Sequence, residues 1–444
     1  MKKYLTWLFA LLWLVSLFYL QSILRSRFNL LWGIYTIAFI SYLILVFKCK
    51  LSLRQGIFLA IVIRLSFFFG EPLLSDDYYR YIWDGALVQS GINPAAYTPQ
   101  EIIHHPDWLQ VPDGFFEKLN SPGYYAVYPP VAQGIFYLSF RMNGWNVDGH
   151  ILLFRILLLL AELIILRLLW LLLKQRNLPE NRLWIYGLNP LILVEFTGNL
   201  HFDGLMILGL LTALYFANAK KYLLSSLSMA FSILVKLITL PLIPFLGKEL
   251  SWKNRILYGF LMASVIGLCF FLSFGQEANW IRSISLWFNQ FEFNAGLYYA
   301  LRAIGYAWKG YNTISIIGPF LLLMLVGIYS WILIRFYKRE NAQLAGTMLL
   351  VLTLYFLFST TVHPWYIGIL LALSVLSLHA FPIIWSYLVF LSYSHYDGGL
   401  FAEHYFIITA EYILLGLFML LEFKKPGWIN TWNLGSNHYH RKGL

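Results

Sequence analysis

The sequence predicts an all-α membrane protein, a polytopic bundle of about 12 to 14 transmembrane helices. Of its 444 residues, 59% are hydrophobic and only 12% are charged, whereas a soluble domain carries about 25% charged residues. Apolar runs recur from one end of the chain to the other. They are continuous rather than alternating, which argues against a transmembrane β-barrel.

The apolar runs define the candidate spans, whose boundaries are approximate. Several are shorter than the ~20 residues that a helix needs to cross the hydrocarbon layer, so they must extend into flanking residues or pack inside the bundle. The first run has no small-residue cleavage site after it, so we interpret it as a retained helix rather than a signal peptide. The candidate spans are 4–20, 29–47, 56–69, 150–173, 183–197, 200–217, 222–236, 237–247, 256–274, 311–334, 342–360, 364–380, 381–396 and 404–422.

The positive charges orient these spans. The net charge is +11, but Lys and Arg lie in short segments between apolar runs, and none of these segments is a basic run typical of nucleic-acid binding. With the N-terminus inside, most of them fall in cytoplasmic segments, as is usual in membrane proteins. We therefore predict a multi-pass protein of the cell (inner) membrane. Its regions are an N-terminal hairpin at 1–55, a core at 56–423 with a first outer loop at 70–149, and a short cytoplasmic tail at 424–444.

One apolar segment is assigned to the outer face rather than to a span. Tyr128–Phe140 would rise only ~20 Å as a helix, and if it crossed the membrane the basic segment 174–182 would lie outside. We therefore predict a helix that lies on the outer surface. Pro129 and Pro130 suit its first turn, where backbone N–H groups have no helical partner.

Polar residues that can perform chemistry collect in the predicted outer segments. The first outer loop opens with Ser75–Tyr97, in which two adjacent carboxylates are followed by an arginine and a third carboxylate. Three later features face the same side of the membrane. They are a turn with a histidine and an aspartate, a lysine at the outer end of a short helix, and a His-Pro-Trp-Tyr turn. These side chains are Asp76, Asp77, Arg80, Asp84, His201, Asp203, Lys236 and His363.

The motifs around these residues resemble the GT-C class of integral-membrane glycosyltransferases, and in particular bacterial polyprenyl-phosphate-mannose-dependent mannosyltransferases. The first motif is D-D-Y-Y-R-Y-I-W-D-G, followed by G-I-N-P and Y-P-P; the later ones are G-N-L-H-F-D-G, L-V-K-L-I-T-L-P and V-H-P-W-Y. The resemblance extends over residues 56–370. It implies a GT-C fold, a sugar donor on a polyprenyl phosphate, and a catalytic aspartate in the first outer loop, which is Asp76 or Asp77.

Sugar transfer from a lipid phosphate needs a base that takes the proton of the acceptor hydroxyl, and cations or donors that stabilise the leaving phosphate. Because phosphate leaves without protonation, one aspartate and one basic site suffice. Asp76 and Asp77 are the candidate bases; the alternative is a solvated pair or a helix cap. Lys236 is the candidate for the donor phosphate, and the alternative is a lysine that reaches the lipid headgroups.

Other polar residues are assigned to the substrates. Arg80 could contact the same phosphate as Lys236, or form an ion pair with Asp84. His201 and Asp203 could bind sugar hydroxyls or support the base, or satisfy only their own turn. The predicted substrate-binding residues are Asp84, Tyr128, His201, Asp203 and His363.

No metal ligand is assigned, because the spacing of His395, Asp397, Glu403 and His404 matches no known ligand pattern. A divalent metal stays open, since an aspartate pair suits either case. The expected partners are the polyprenyl-phosphate sugar donor, a glycan, glycolipid or protein acceptor, and the lipid bilayer, but not nucleic acid.

The sequence favours a glycosyltransferase that transfers a hexose, with mannose favoured by the resemblance, and two alternative functions stay open. A flippase or transporter for a lipid-linked sugar suits intramembrane charges, but the sequence shows no internal repeat. A lipid-linked glycan polymerase or ligase would rely on Arg and His in a late outer loop.

Overall fold

The computed structural model of the chain describes residues 2–49, 51–248, 250–274, 291–340, 342–377 and 379–424. Within these ranges the backbone is helical or irregular and forms no strand, and the only β-type pairing there is an isolated bridge between Phe293 and Thr361. The all-α prediction is confirmed. The predicted tail lies outside the described residues from residue 425 onward.

The helices follow the apolar pattern of the sequence, and the long ones match predicted spans to within a few residues. In chain order the α-helices are α1 (Lys2–Leu20), α2 (Phe28–Phe47), α3 (Leu53–Ser66), α4 (Asp77–Gln89), α5 (Pro99–Ile102), α6 (Pro130–Asn143), α7 (Val147–Gln175), α8 (Leu183–Gly187), α9 (Pro190–Ile192), α10 (Asp203–Asn218), α11 (Tyr222–Val235), α12 (Ile243–Leu246), α13 (Trp252–Phe274), α14 (Leu297–Lys309), α15 (Ile314–Lys338), α16 (Leu344–Phe358), α17 (Ile367–Leu376), α18 (Phe381–Leu388) and α19 (Tyr405–Lys424).

Among the described residues, five helices are long and apolar enough to cross a membrane, and further apolar helices are shorter. The chain is therefore a multi-pass membrane protein, as predicted, while the number of 12 to 14 spans stays a prediction. The long helices are Phe28–Phe47, Val147–Gln175, Trp252–Leu272, Ile314–Lys338 and Tyr405–Lys424.

Some predicted spans are interrupted. The stretch 183–197 forms α8, α9 and a wider helical turn at Leu193–Gly198. Pro190 lacks a backbone N–H and forces the break, and the side chain of Asn189 caps the next turn by accepting from the N–H of Leu191 at 2.9 Å. Every residue from 183 to 198 is buried, so this short span packs inside the protein, as expected for a segment too short to cross alone.

The chain divides into two compact units. The first contains residues 1–73, 166–199 and 292–444, and the second contains 74–165 and 200–291. The predicted domain limits at residues 55 and 423 remain a prediction. All predicted site residues except His363 belong to the second unit.

Within the second unit, the first outer loop is held by contact between α4 and α6. A Cβ at Gly85 would lie 2.4 Å from the carbonyl oxygen of Phe136, so only glycine permits this approach. Helix α6 begins at Pro130 with Pro129 as its N-cap residue. The helix predicted within Tyr128–Phe140 is therefore present, and its prolines occupy the positions expected of them.

Candidate active site

An aromatic cluster connects the elements that carry the candidate site. The Tyr81 ring of α4 stacks on Phe136 of α6 at 4.6 Å between centroids. Phe202, just before α10, packs edge-on against Tyr81, Phe136 and Phe154 at 5.2 to 5.3 Å. All four rings are buried. This packing fixes the start of α10 against α4, and therefore the residues on either side of Phe202.

One of these residues, His201, lies beside Asp77, one of the predicted carboxylates. His201 Nε2 lies 3.8 Å from Asp77 Oδ2, and Asn120 Nδ2 donates a hydrogen bond to Asp77 Oδ1 at 2.7 Å. The Asp77 side chain is 21% exposed, whereas that of His201 is buried. Asp77 is the first residue of α4, where the helix dipole favours a negative charge. An accessible carboxylate beside a buried imidazole can accept a proton from a substrate hydroxyl.

Asp76 has a different environment from Asp77. It is the N-cap residue of α4, but its side chain makes no capping hydrogen bond. The interpretation of Asp76 as a side-chain helix cap therefore finds no support.

The second carboxylate of the site is paired with the predicted phosphate ligand. Lys236 Nζ donates to Asp203 Oδ1 and Oδ2 at 2.9 and 2.8 Å. Asp203 begins α10 and Lys236 directly follows α11, so each charge lies at the helix end whose dipole stabilises it. The two helices approach closely where Gly209 of α10 meets Ser232 of α11. A Cβ at Gly209 would lie 2.8 Å from Ser232 Cα, so the missing side chain permits this approach.

The third carboxylate of the site, Asp84, is fully buried. Asp84 is 0% exposed and Arg80 is 5% exposed; Arg80 Nε donates to Asp84 Oδ1 at 2.8 Å, and Gln133 Nε2 donates to Asp84 Oδ2 at 2.9 Å. Burial raises the pKa of Asp84, while the charge of Arg80 and the hydrogen bond from Gln133 act in the opposite direction. The ion pair that the sequence offered as the alternative for Arg80 is thus present, and contacts of Arg80 and Asp84 with substrate remain predictions.

The same arginine holds a loop of the first outer segment. Arg80 Nη1 donates to the carbonyl oxygens of Ser121 and Tyr124 at 3.1 and 2.9 Å. Ser121 Oγ donates to Asn120 Oδ1 at 3.0 Å. No motif in the sequence marks Asn120, Ser121 or Gln133 as site residues; the only local signal is N-S-P-G at 120–123, a composition typical of turns.

Tyr128 lies near Asp77, whose charge acts on its phenol. Its ring packs edge-on against Tyr81 at 5.2 Å. Burial, and next the charge of Asp77, raise the pKa of Tyr128 well above its ordinary value. The phenol therefore keeps its proton at neutral pH and remains a hydrogen-bond donor.

His363 lies in the first unit. Its ring stacks on Phe293 at 4.6 Å and on Trp365 at 4.4 Å. Its role as a substrate-binding residue stays a prediction.

The described part of the chain contains no group of three or more His, Cys, Asp or Glu side chains that could hold a metal ion. Dependence on a divalent metal stays an open expectation.

Fold and site together define a multi-pass helical membrane protein with an accessible carboxylate and an ion-paired lysine in the same compact unit. Residues 11–251, more than half of the chain, match the family model described as alpha-(1->6)-mannopyranosyltransferase, N-terminal domain (the MptA/B family). The chain belongs to this family and is a mannosyltransferase, which confirms the resemblance seen in the sequence. The matched range includes every predicted site residue except His363. No curated protein matches the chain.

Proposed function

We propose that the chain transfers mannose from a polyprenyl-phosphate donor to a glycolipid, glycan or protein acceptor on the extracytoplasmic face, with Asp77 as the general base. The family description adds an α-(1→6) linkage as the expected product. The observation that carries this proposal is the arrangement of two carboxylates, a histidine and a lysine within one compact unit.

The choice of Asp77 over Asp76 rests on its contacts. Asp77 has a hydrogen-bond donor on one carboxylate oxygen and the His201 ring 3.8 Å from the other. Such contacts orient a carboxylate toward a substrate hydroxyl, whereas Asp76 has the backbone position of a cap. Side chains of adjacent residues point in different directions, so we assign one base rather than two.

The chemistry is a single displacement. The acceptor oxygen bonds to the anomeric carbon while its proton passes to Asp77, and the bond from that carbon to the phosphate oxygen breaks. The electron pair leaves with the lipid phosphate, which needs no protonation at neutral pH. One displacement inverts the anomeric carbon, so an α-linked product requires a β-linked donor.

Lys236 is assigned to the departing phosphate. It is 21% exposed, and Asp203 holds its ammonium group by two hydrogen bonds. A fixed cation stabilises the charge that develops on the leaving group more than a solvated one does, because it need not reorganise during the reaction.

The test is transfer from radiolabelled polyprenyl-phosphate mannose in membranes that contain the chain. We expect Asp77→Asn to lose at least about 100-fold in maximal rate, the loss typical of removing a general base. The isosteric Asp76→Asn is the matched control and should stay within about tenfold of the unaltered chain. Full activity in Asp77→Asn would refute the assignment, and an inactive Asp76→Asn beside an active Asp77→Asn would transfer the role to Asp76.

A further inference from the structure

A chain of contacts leads from the buried core of the second unit to the candidate base. Asp84 is held between Gln133 and Arg80, and Arg80 in turn binds two backbone carbonyls of the loop Asn120–Tyr124. The amide of Asn120, at the start of that loop, donates to Asp77.

The amide of Asn120 is itself oriented. Ser121 Oγ donates to Asn120 Oδ1 at 3.0 Å, which leaves the NH2 group of Asn120 directed at Asp77 Oδ1. An amide without this hydroxyl could turn over and present its oxygen to the carboxylate, where two acceptors would repel. The loop has a further attachment, since the N–H of Gln100 donates to the carbonyl of Pro122 at 2.9 Å.

Exposure to solvent increases along this chain of contacts, from Asp84 to Asn120. Asp84 is 0% and Arg80 is 5% exposed, Ser121 is half-buried, and Asn120 is exposed. The guanidinium of Arg80 is a poor ligand for a substrate phosphate because it is buried: its Nε and Nη1 donors already serve a carboxylate and two carbonyls, and its Nη2, which has no hydrogen-bond partner among the described residues, is buried as well. Asn120, by contrast, is exposed at the same surface as the accessible carboxylate.

We infer that Asn120 is a positioning residue for Asp77, and that Arg80 acts on the reaction by holding the Asn120–Tyr124 loop rather than by binding the donor phosphate. The inference rests on the proposed role of Asp77 as base. The hydrogen bond fixes Asp77 Oδ1, so that Oδ2 stays directed at the position where the acceptor hydroxyl must lie.

The experiment compares maximal rate with donor KM in the full-length chain in membranes, using radiolabelled polyprenyl-phosphate mannose. Asn120→Ala should lower the maximal rate about tenfold and leave the donor KM within about twofold, because the hydrogen bond serves the base and not the donor. Asn120→Asp should be slower still, since a second carboxylate beside Asp77 shares a proton with it and removes the ionised base. Gln110→Ala, an exposed amide of the same outer loop, is the matched control and should match the unaltered chain.

Two further variants keep the test decisive. Ser121→Ala should cost about threefold in maximal rate, because the amide is then free to turn. Arg80→Lys keeps the charge but cannot reach three acceptors at once, so it should lower the maximal rate without raising the donor KM. A raised KM with an unchanged maximal rate in Arg80→Lys would instead indicate direct phosphate contact.

The inference is overturned if Asn120→Ala and Asn120→Asp both transfer within threefold of the unaltered chain while Asp77→Asn is inactive. Equal losses in the two Asn120 variants would also overturn it, because an electrostatic effect on the base must distinguish them. Retained transfer in Asp77→Asn is a separate result and refutes the proposed function itself.

Discussion

The two units each contain carboxylates near cations and tyrosines, and the two sets of residues differ in how completely their polar atoms are hydrogen-bonded. In the first unit, Arg302 forms ion pairs with two glutamates, and all four carboxylate oxygens accept hydrogen bonds from within the cluster. This Arg302 cluster consists of Glu292, Tyr298, Tyr299, Arg302, Glu403 and Tyr405.

In the second unit, the carboxylates are separated instead of sharing one cation. Asp203 is bound by Lys236, Asp84 by Arg80, and Asp77 Oδ2 lies 3.8 Å from the imidazole of His201. That distance is longer than a hydrogen bond. The difference teaches that similar residue types can serve structure or chemistry: a satisfied network stabilises a fold, whereas an accessible carboxylate with one oxygen fixed can take a proton.

Replacing Lys236 or Arg302 by methionine should have different consequences: loss of Lys236 should weaken donor binding, and loss of Arg302 should lower stability. Lys236→Met should raise the donor KM about 30-fold, the effect of losing a charge-assisted hydrogen bond to the phosphate. Initial rates over a range of donor concentrations measure it. Lys221→Met, an exposed lysine at the other end of α11, is the control.

Loss of Lys236 also leaves Asp203 buried without its cation. The double variant Lys236→Met with Asp203→Asn removes that unpaired charge and should show the same rise in donor KM. An unchanged KM together with an unchanged maximal rate in both variants would mean that Lys236 serves only to pair with Asp203.

Arg302→Met should lower stability rather than affinity. It leaves two carboxylates facing each other, each 13% exposed, and should reduce the free energy of unfolding by about 2–3 kcal/mol. Thermal unfolding of the purified chain measures this, with Lys309→Met, an exposed lysine of α14, as control. A large change in the donor KM with unaltered stability would show that the Arg302 cluster takes part in binding.

Tyr128→Phe should give the smallest effect. Because its phenol stays protonated next to Asp77, we expect its loss to lower transfer about threefold, with no resolved change in unfolding temperature. The transfer assay at saturating donor measures it. If Tyr128→Phe loses stability but not rate, the phenol belongs to the packing of the aromatic cluster alone.

The positions of the long helices follow from the length of the apolar runs in the sequence. Runs such as 29–47 and 404–422 became single helices because nothing in them interrupts the backbone hydrogen bonds. The interruptions at 183–197 were signalled by Pro190 but could not be placed from hydropathy alone. Helix α14 was not expected, since its amphipathic sequence lies between the candidate spans 256–274 and 311–334.

Contacts between helices that follow each other in the chain can be predicted from the sequence. Contacts made by a loop distant in the sequence cannot. Asp203 and Lys236 meet because α10 and α11 form a hairpin, which brings the start of one beside the end of the other. Asn120 reaches Asp77 from 43 residues away, through a loop that Arg80 holds. No periodicity or motif in the sequence encodes that contact.

The most direct test of the central claim measures donor binding and transfer in the same Asp77→Asn protein. If Asp77 removes the acceptor proton, the variant binds polyprenyl-phosphate mannose within about threefold of the unaltered affinity. Its transfer rate at saturating donor falls by a factor of about 10² to 10⁴. Transfer at the unaltered rate, or loss of donor binding together with transfer, would contradict the claim.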